Sequence, residues 1–565
     1  MPAKNHKQLR SQEWWQGPTY ESFNHRAWMR SEGFSSDFFQ NKPVVGICNS
    51  WSEFNNCNAH LRTVAEAVKR GVLAAGGFPL EFPTISLGEP FMRPTTMLFR
   101  NLMAMDVEEC IRAYPMDAVV LLCGCDKTTP AQLMGAASAD IPAIVVPGGP
   151  MLSGAWQNRR LGSGSDGRKL FELFRIGQLS QEEWSEIEGG ISRSAGHCTV
   201  MGTASTMTSL AEAMGMTLTG CANIPAVDSR RLSTAELSGR RAVELALEDV
   251  KPSRIMTRQA IENAIVVNMA IGGSTNAVIH LLAIAGRLGI DLCLEDFDSI
   301  SRRTPYIANV KPSGEFLMED LFAAGGIPAV MKEILHLLHG DAMTVTGKTV
   351  RENVEGARCY RREVIHTAAE PLHPEGGTAV LYGNLAPDGA VIKQTAASPH
   401  LLRHLGKAYV FENYQQMRAQ IDNPDLPVTK DSVLVMKNCG PKGAPGFPEW
   451  GHIPIPKVLL EQGVRDMVRV SDARMSGTSF GTIVLHAAPE SAAGGPLAVV
   501  QTGDEVQLDV AARKIELCVP DEELQRRLCD FQPAAPQYNR GYRRLFLDHV
   551  TQANLGCDFD FLGTA

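Results

Sequence analysis

The sequence predicts two architectures in succession: an α/β N-terminal domain with a parallel sheet over residues 1–375, and a β-rich C-terminal domain, barrel or sandwich, over residues 376–565. Three observations predict them. Residues 118–122 are an unbroken apolar run, as expected of a strand buried on both faces of a parallel sheet. A glycine turn, a helix over 131–138 and a second apolar strand over 141–146 follow it, completing a βαβ unit. Past about residue 375 the texture changes to short strands separated by Gly, Pro and Asn turns. A chain of 565 residues is also too long for one ordinary domain.

In order along the chain, residues 43–47 read as a short buried strand. Over 58–75, Leu61, Val64, Ala65, Val68 and Val72 share one face of a helix, and Gly76 and Gly77 stop it. Residues 80–85 are strand-like. Helices are expected over 203–214 and 277–287, the second opened by Gly-Gly-Ser-Thr-Asn. Residues 340–375 are poorly patterned. Strands are expected at 378–382, 391–393, 408–411, 433–436 and 467–470. Residues 497–508 read as strand, turn and strand.

The bulk numbers exclude several classes. Hydrophobic residues make up 44% and charged residues 21%, the proportions of a soluble globular protein. The net charge of -8 is interspersed, with no basic stripe for nucleic acid and no polybasic cluster for a membrane surface. No apolar run reaches the ~20 residues of a membrane helix. The start, MPAKNHKQLRSQEWWQG, lacks the apolar core of a secretory leader, so a soluble cytoplasmic protein is expected. The 13 cysteines, an odd number from Cys48 to Cys557, do not read as a disulfide framework. Most should be small buried hydrophobes, with any metal ligands identified by context.

Five segments concentrate reactive groups. Gly124-Cys125-Asp126-Lys127-Thr128-Thr129-Pro130 follows a buried strand and precedes a helix, the crevice where open α/β sheets bind ligands. Cys57, in Asn55-Asn56-Cys57-Asn58, falls at the start of the first predicted helix, where the helix terminus would lower a thiol's pKa. Cys198 lies in a glycine-bounded turn, residues 196–204, beside His197. No two of these make a CxxC pair, so local spacing reveals no zinc or iron–sulfur site. Three thiolates brought together by the fold would leave one position on an iron open, as a Lewis acid needs. Glu89 and Glu449 lie in Gly/Pro loops, and with Asp126 they supply hard oxygen donors suited to magnesium. Taken singly, each acid reads more readily as a solvated carboxylate than as a ligand. The loop Ser471-Asp472-Ala473-Arg474-Met475-Ser476-Gly477-Thr478-Ser479 sets small hydroxyl residues around a glycine, which suits close approach of a ligand.

Together these segments resemble one family, the dihydroxy-acid and sugar-acid dehydratases. The matching blocks are Asn56-Cys57-Asn58, GCDKTTP at 124–130, CTVMGTAST at 198–206 and IGGSTNAVIHLLA at 271–283. GNLAPDGAVIK at 383–393, KNCGPKGAPG at 437–446, SDARMSGTS at 471–479 and HAAPESAAGGPLAVVQTGD at 486–504 complete the ordered set. The texture is similar to the sugar-acid (aldonate) branch. Where branched-chain relatives usually carry Thr-Pro and Gly-Arg-Phe-Ser, this chain has Asn55-Asn56 and Ala473-Arg474-Met475-Ser476.

The resemblance implies an N-terminal α/β domain and a C-terminal β-barrel-like domain with the active site between them. It implies an iron–sulfur cluster on Cys57, Cys125 and Cys198, [2Fe-2S] with [4Fe-4S] as the alternative. It implies Mg2+ on Glu89, Asp126, Glu449 and a carbamylated Lys127, and Ser476 as the base. The implied reaction removes water from a 2,3-dihydroxy sugar acid such as L-arabinonate to give a 2-keto-3-deoxy acid, in a homodimer or homotetramer. Two rivals stand beside it: the same chemistry on dihydroxy-isovalerate, and a non-catalytic iron–sulfur sensor or electron carrier.

Overall fold

The computed structural model describes residues 9–535 and 537–563; the first eight residues of the start read above lie outside them. Near the N-terminus, four strands form a parallel sheet in the order β2-β1-β3-β4: β1 Val44–Asn49, β2 Phe78–Pro83, β3 Ala118–Cys123 and β4 Ala143–Pro147. β1, β3 and β4 are buried at every position, which is why they read as unbroken apolar runs. The helix Thr128–Ala139 joins β3 to its parallel neighbour β4, the expected βαβ unit.

The first amphipathic helix is Leu61–Ala74, and it packs against the long helix Ser229–Glu248. Glycines set that approach. A Cβ on Gly71 would lie 1.9 Å from the Glu236 carbonyl oxygen, and one on Gly239 would lie 2.3 Å from the Val68 carbonyl oxygen. The expected helices over 203–214 and 277–287 are Thr203–Ala213 and Asn276–Arg287, both buried almost throughout. Residues 154–161 add a short hairpin, β5 Gly154–Trp156 and β6 Arg159–Leu161, which the sequence reading missed.

The C-terminal strands close into an eight-stranded barrel of mixed direction rather than a sandwich. They are β7 Ala379–Gly383, β8 Ala386–Ile392, β9 Arg403–Phe411, β10 Val433–Met436, β11 Arg469–Ser471, β12 Ile483–Leu485, β13 Glu505–Asp509 and β14 Lys514–Leu517. Around the barrel the order is β10-β11-β12-β8-β7-β14-β13-β9. Their inward apolar side chains make a core of their own, including Leu381, Val435, Val484 and Ile515. One expected strand is corrected. Residues 497–499 fall in a 3-10 turn, Pro496–Val499, because Pro496 fixes its φ and offers no N–H to a ladder.

Lys393, just past β8, is 1% exposed, and its ammonium has no hydrogen-bond partner among the described residues. Burial pushes it down from 10.5 to about 7. Between those values the unfolded chain holds this proton and the folded chain does not, so stability rises with pH across the window. The penalty is complete below pH 7. Lys393→Met is therefore expected to stabilise the fold near pH 7, by up to about 1.4 kcal/mol for each pH unit of the shift, and so to raise the thermal midpoint there. The gain should fade as pH approaches 10.5, the unshifted value. Unfolding scans of both proteins across this range check it; a gain independent of pH would exclude the buried ammonium as its source.

Candidate active site

The candidate residues gather beyond the carboxyl ends of parallel strands, where such sheets bind ligands. Cys57 lies in the turn after β1, Glu89 in the loop after β2, and Cys125, Asp126 and Lys127 in the turn after β3. From the barrel, Glu449 follows β10 and Ser476 follows β11, and those two strands run parallel. Cys198 comes in after a bridge between Pro150 and His197.

Close backbone approach holds the three cysteine turns together. A Cβ on Gly124 would lie 2.8 Å from the Cys57 carbonyl oxygen, so only glycine fits between the first two turns. The Gly196 N–H donates to the Asn56 carbonyl at 3.1 Å, and the Asn56 amide donates to the carbonyls of Ser194 and Gly196 at 3.3 Å. The Thr128 hydroxyl accepts from the N–H groups of Gly124 (3.1 Å) and Cys125 (2.9 Å), shaping the second turn.

Electrostatics register the convergence. The Cys57 thiol is pushed well above its usual range, first by a hydrogen bond with Cys125, then by burial and by Cys125, Cys198 and Asp126 nearby. Burial, Asp126 and Cys125 push the Cys198 thiol up to about 12. The expectation of a lowered Cys57 pKa is therefore corrected. The helix begins only at Leu61, and the thiol faces other thiols and a carboxylate rather than free helix N–H groups.

The three acids converge on Lys127. Its side chain is fully buried, and its Nζ lies 3.2 Å from Glu449 Oε1, 3.3 Å from Asp126 Oδ2 and 3.4 Å from Glu89 Oε2. Burial alone would lower the ammonium's pKa and Arg474 adds to that, but the three carboxylates outweigh both and the net shift is upward. Burial raises the Asp126 carboxyl, against the pull of Lys127 and with the help of Glu449 and Glu89. For Glu449, Lys127 and Arg474 overcome burial and hold the carboxyl down at about 2.

Two residues that the sequence reading quoted without singling out complete the cluster. Arg474, also fully buried, donates to Glu449 Oε1 at 2.7 Å, to Thr95 Oγ1 at 2.9 Å and to the Phe447 carbonyl at 2.6 Å. The Asn276 amide donates to Glu449 Oε1 at 3.2 Å, to Thr203 Oγ1 at 3.0 Å and to the Met475 carbonyl at 3.1 Å. Glu89 accepts from the hydroxyls of Thr95 and Thr96, and Asp126 accepts from the Ala204 N–H at 3.1 Å. Among the described residues, no group of three or more His, Cys, Asp or Glu is arranged to hold a metal ion as it stands. The focus of the carboxylates is taken by the Lys127 ammonium.

Over residues 471–479, Ser476 is the one residue not buried. Its hydroxyl lies 2.9 Å from that of Thr478, whose carbonyl accepts from the Ser165 hydroxyl at 2.7 Å. A Cβ on Gly477 would stand 2.6 Å from the Thr203 nitrogen, so the loop is pressed against the helix that follows Cys198.

A parallel α/β sheet and a closed barrel thus bring three largely buried acids around a lysine beside three cysteine turns, and the family that this chain matches is one of dehydratases, a class of hydro-lyase. The chain belongs to the family described as dihydroxy-acid/6-phosphogluconate dehydratase, whose N-terminal model matches residues 42–353 and whose C-terminal model matches residues 363–557. Within it, the chain is 54% identical over 558 residues to an L-arabinonate dehydratase of Rhizobium leguminosarum bv. trifolii, covering 98% of this chain and 96% of the relative. It is 49% identical over 562 residues to a 6-deoxy-6-sulfo-D-gluconate dehydratase of Pseudomonas putida, covering 99% and 97%. A dihydroxy-acid dehydratase of Ignicoccus hospitalis is more distant, 41% identical over 541 residues, covering 94% and 97%.

Proposed function

We propose that this chain removes water from an aldonate of the L-arabinonate type, giving a 2-keto-3-deoxy acid, with residues 1–375 and 376–565 as its two domains. The carrying observation is Lys127, fully buried and ringed by Glu89, Asp126 and Glu449, next to the turns of Cys57, Cys125 and Cys198. The greater likeness to the L-arabinonate enzyme than to the dihydroxy-acid enzyme supports the substrate class. A sensor or electron carrier would have no use for the acids or Ser476.

The donor chemistry fits two inorganic groups. Three hard carboxylates suit Mg2+, and three thiolates suit an iron–sulfur cluster, [2Fe-2S] as in the sugar-acid branch, with one open iron position. Carbamylation of Lys127 replaces a cation by an anionic oxygen ligand. Together with an entering divalent ion, that exchange leaves the buried cluster's net charge unchanged. Once bound, the cluster would act as a Lewis acid on the substrate's C3 hydroxyl and Mg2+ would offset charge developing at the carboxylate and C2 hydroxyl.

The chain's own groups handle the proton. Ser476 takes the C2 hydrogen as a proton, the C2–H electron pair forms the C2–C3 double bond, and the C3 hydroxyl leaves. Proton and hydroxide depart as water, and the resulting enol tautomerises to the 2-keto acid. Arg474 and Asn276 fix Glu449 so that the acids do not drift apart between turnovers.

The test is an anaerobic assay of purified protein against L-arabinonate, D-xylonate, D-galactonate, D-fuconate, D-gluconate and dihydroxy-isovalerate. Turnover of a pentonate or hexonate at least tenfold above dihydroxy-isovalerate in kcat/KM is expected. Preference for dihydroxy-isovalerate would reject the assignment, and turnover of none would reject the aldonate reading.

A further inference from the structure

A cleft of about 380 Å³ opens beside the acid cluster, with Glu449 in its wall. That volume falls in the range of small-molecule sites, about 300–1,000 Å³. Two short helices make its sides. On Ser165–Arg175, residues Arg168, Glu172 and Arg175 are spaced to share one face, and on Tyr414–Gln420, Tyr414 and Met417 do the same. The loop after Glu449 supplies Trp450 and His452.

Two polar atoms in this wall are out of contact with water and have no hydrogen-bond partner among the described residues: Arg168 Nε and His452 Nδ1. Buried polar atoms are normally satisfied, so two such orphans on residues that line one cavity point to a ligand that completes them. Arg175 is not free in this way, because it is tied to Asp422 and to the Ile455 carbonyl. Arg168 has no ion-pair partner within 4.0 Å among the described residues, although Glu449, Cys198, Tyr414 and Glu172 all act on it electrostatically. Burial and the nearby Arg168 push the His452 imidazole well below its usual pKa, so it is neutral and can donate or accept. Tyr414 and Trp450 stack at 4.2 Å and 7°, presenting an aromatic wall.

An unpaired guanidinium, a neutral imidazole, a carboxylate and an aromatic face are the groups that bind hydroxyls and C–H faces of a carbohydrate. We propose that this cleft is the subsite for the hydroxylated tail of the sugar acid, from C4 outward, with Arg168 and His452 bonding its hydroxyls and Trp450 packing its carbon chain. The assignment rests on the aldonate reading above. It explains discrimination against a branched aliphatic acid, whose methyl groups would leave Arg168 and His452 unsatisfied.

The test compares wild type with Arg168→Met in the holoenzyme. For L-arabinonate, KM should rise about 10- to 100-fold with kcat within threefold. Calorimetry separates this from the enclosing reading, using a 3-deoxypentonate, which keeps the tail but has no C3 hydroxyl to lose, and lactate, which lacks both. Arg168→Met should weaken the 3-deoxypentonate at least tenfold and leave lactate unchanged. Equal loss for both acids, or none for either, overturns the subsite. Tail-dependent binding by a wild type that dehydrates no aldonate would sustain the cleft and sink only the reaction. A preference for a terminally sulfonated acid over the neutral tail would overturn the hydroxyl assignment. Should Arg168→Met fail to fold, His452→Phe must show the same split between the two probes.

Discussion

Ser476→Ala is expected to abolish turnover, by a factor on the order of 10²–10⁴ or more, while the visible absorption of the cluster is retained. The C2 proton of a hydroxy acid is only weakly acidic, so its removal needs a positioned base. Ser476 is the one residue of its loop that is not buried, while the glycine after it is pressed against Thr203 and Ser274. The substitution removes one oxygen from an accessible position. Among the described residues its hydroxyl meets the Thr478 hydroxyl at 2.9 Å and the Thr478 N–H at 3.4 Å, both within its own loop. Fold, metal content and colour should therefore persist. Turnover within tenfold of wild type would remove Ser476 from the proton transfer.

Cys125→Ser is expected to do the opposite, bleaching the visible spectrum and stripping iron while the chain stays folded. Cys125 is 1% exposed, and its turn is shaped by the Thr128 hydroxyl accepting from two backbone N–H groups, contacts that a serine leaves in place. What the substitution removes is a soft thiolate, and a hydroxyl is a poor ligand for iron. Activity should fall below detection with it. Iron analysis and the visible spectrum decide, with far-UV circular dichroism as the control for folding; unchanged iron and colour would reject Cys125 as a ligand.

Much of the architecture was legible because its signals are local. Residues 118–122 and 141–146 read as buried strands, and the stripe from Leu61 to Val72 as one face of a helix. The barrel's β12 and β14 went unread, although β10 and β11, of the same three or four residues, were read. Closure depends on pairings such as β9 with β13 and β7 with β14, whose partners lie far apart along the chain. At Pro496 an apolar tetrad imitated a strand.

For the site, the reactive residue types were visible in their motifs, but their meeting was not. Nothing in local spacing ties Cys57 to Cys125, since the link is the close pass of Gly124 over the Cys57 backbone. Arg474 and Asn276 stood inside quoted blocks, yet only the fold aims them at Glu449. Arg168 gave no signal in the sequence, because its significance lies in what it fails to touch.

Lys127 draws its third carboxylate from a position 322 residues downstream. A ribosome that has made only the first half of the chain has thus produced a lysine with two acids and no Arg474. The full ring of acids around Lys127 therefore exists only once the barrel that carries Glu449 and Arg474 has been made. The three cysteine turns, by contrast, are all present once residue 198 has been made.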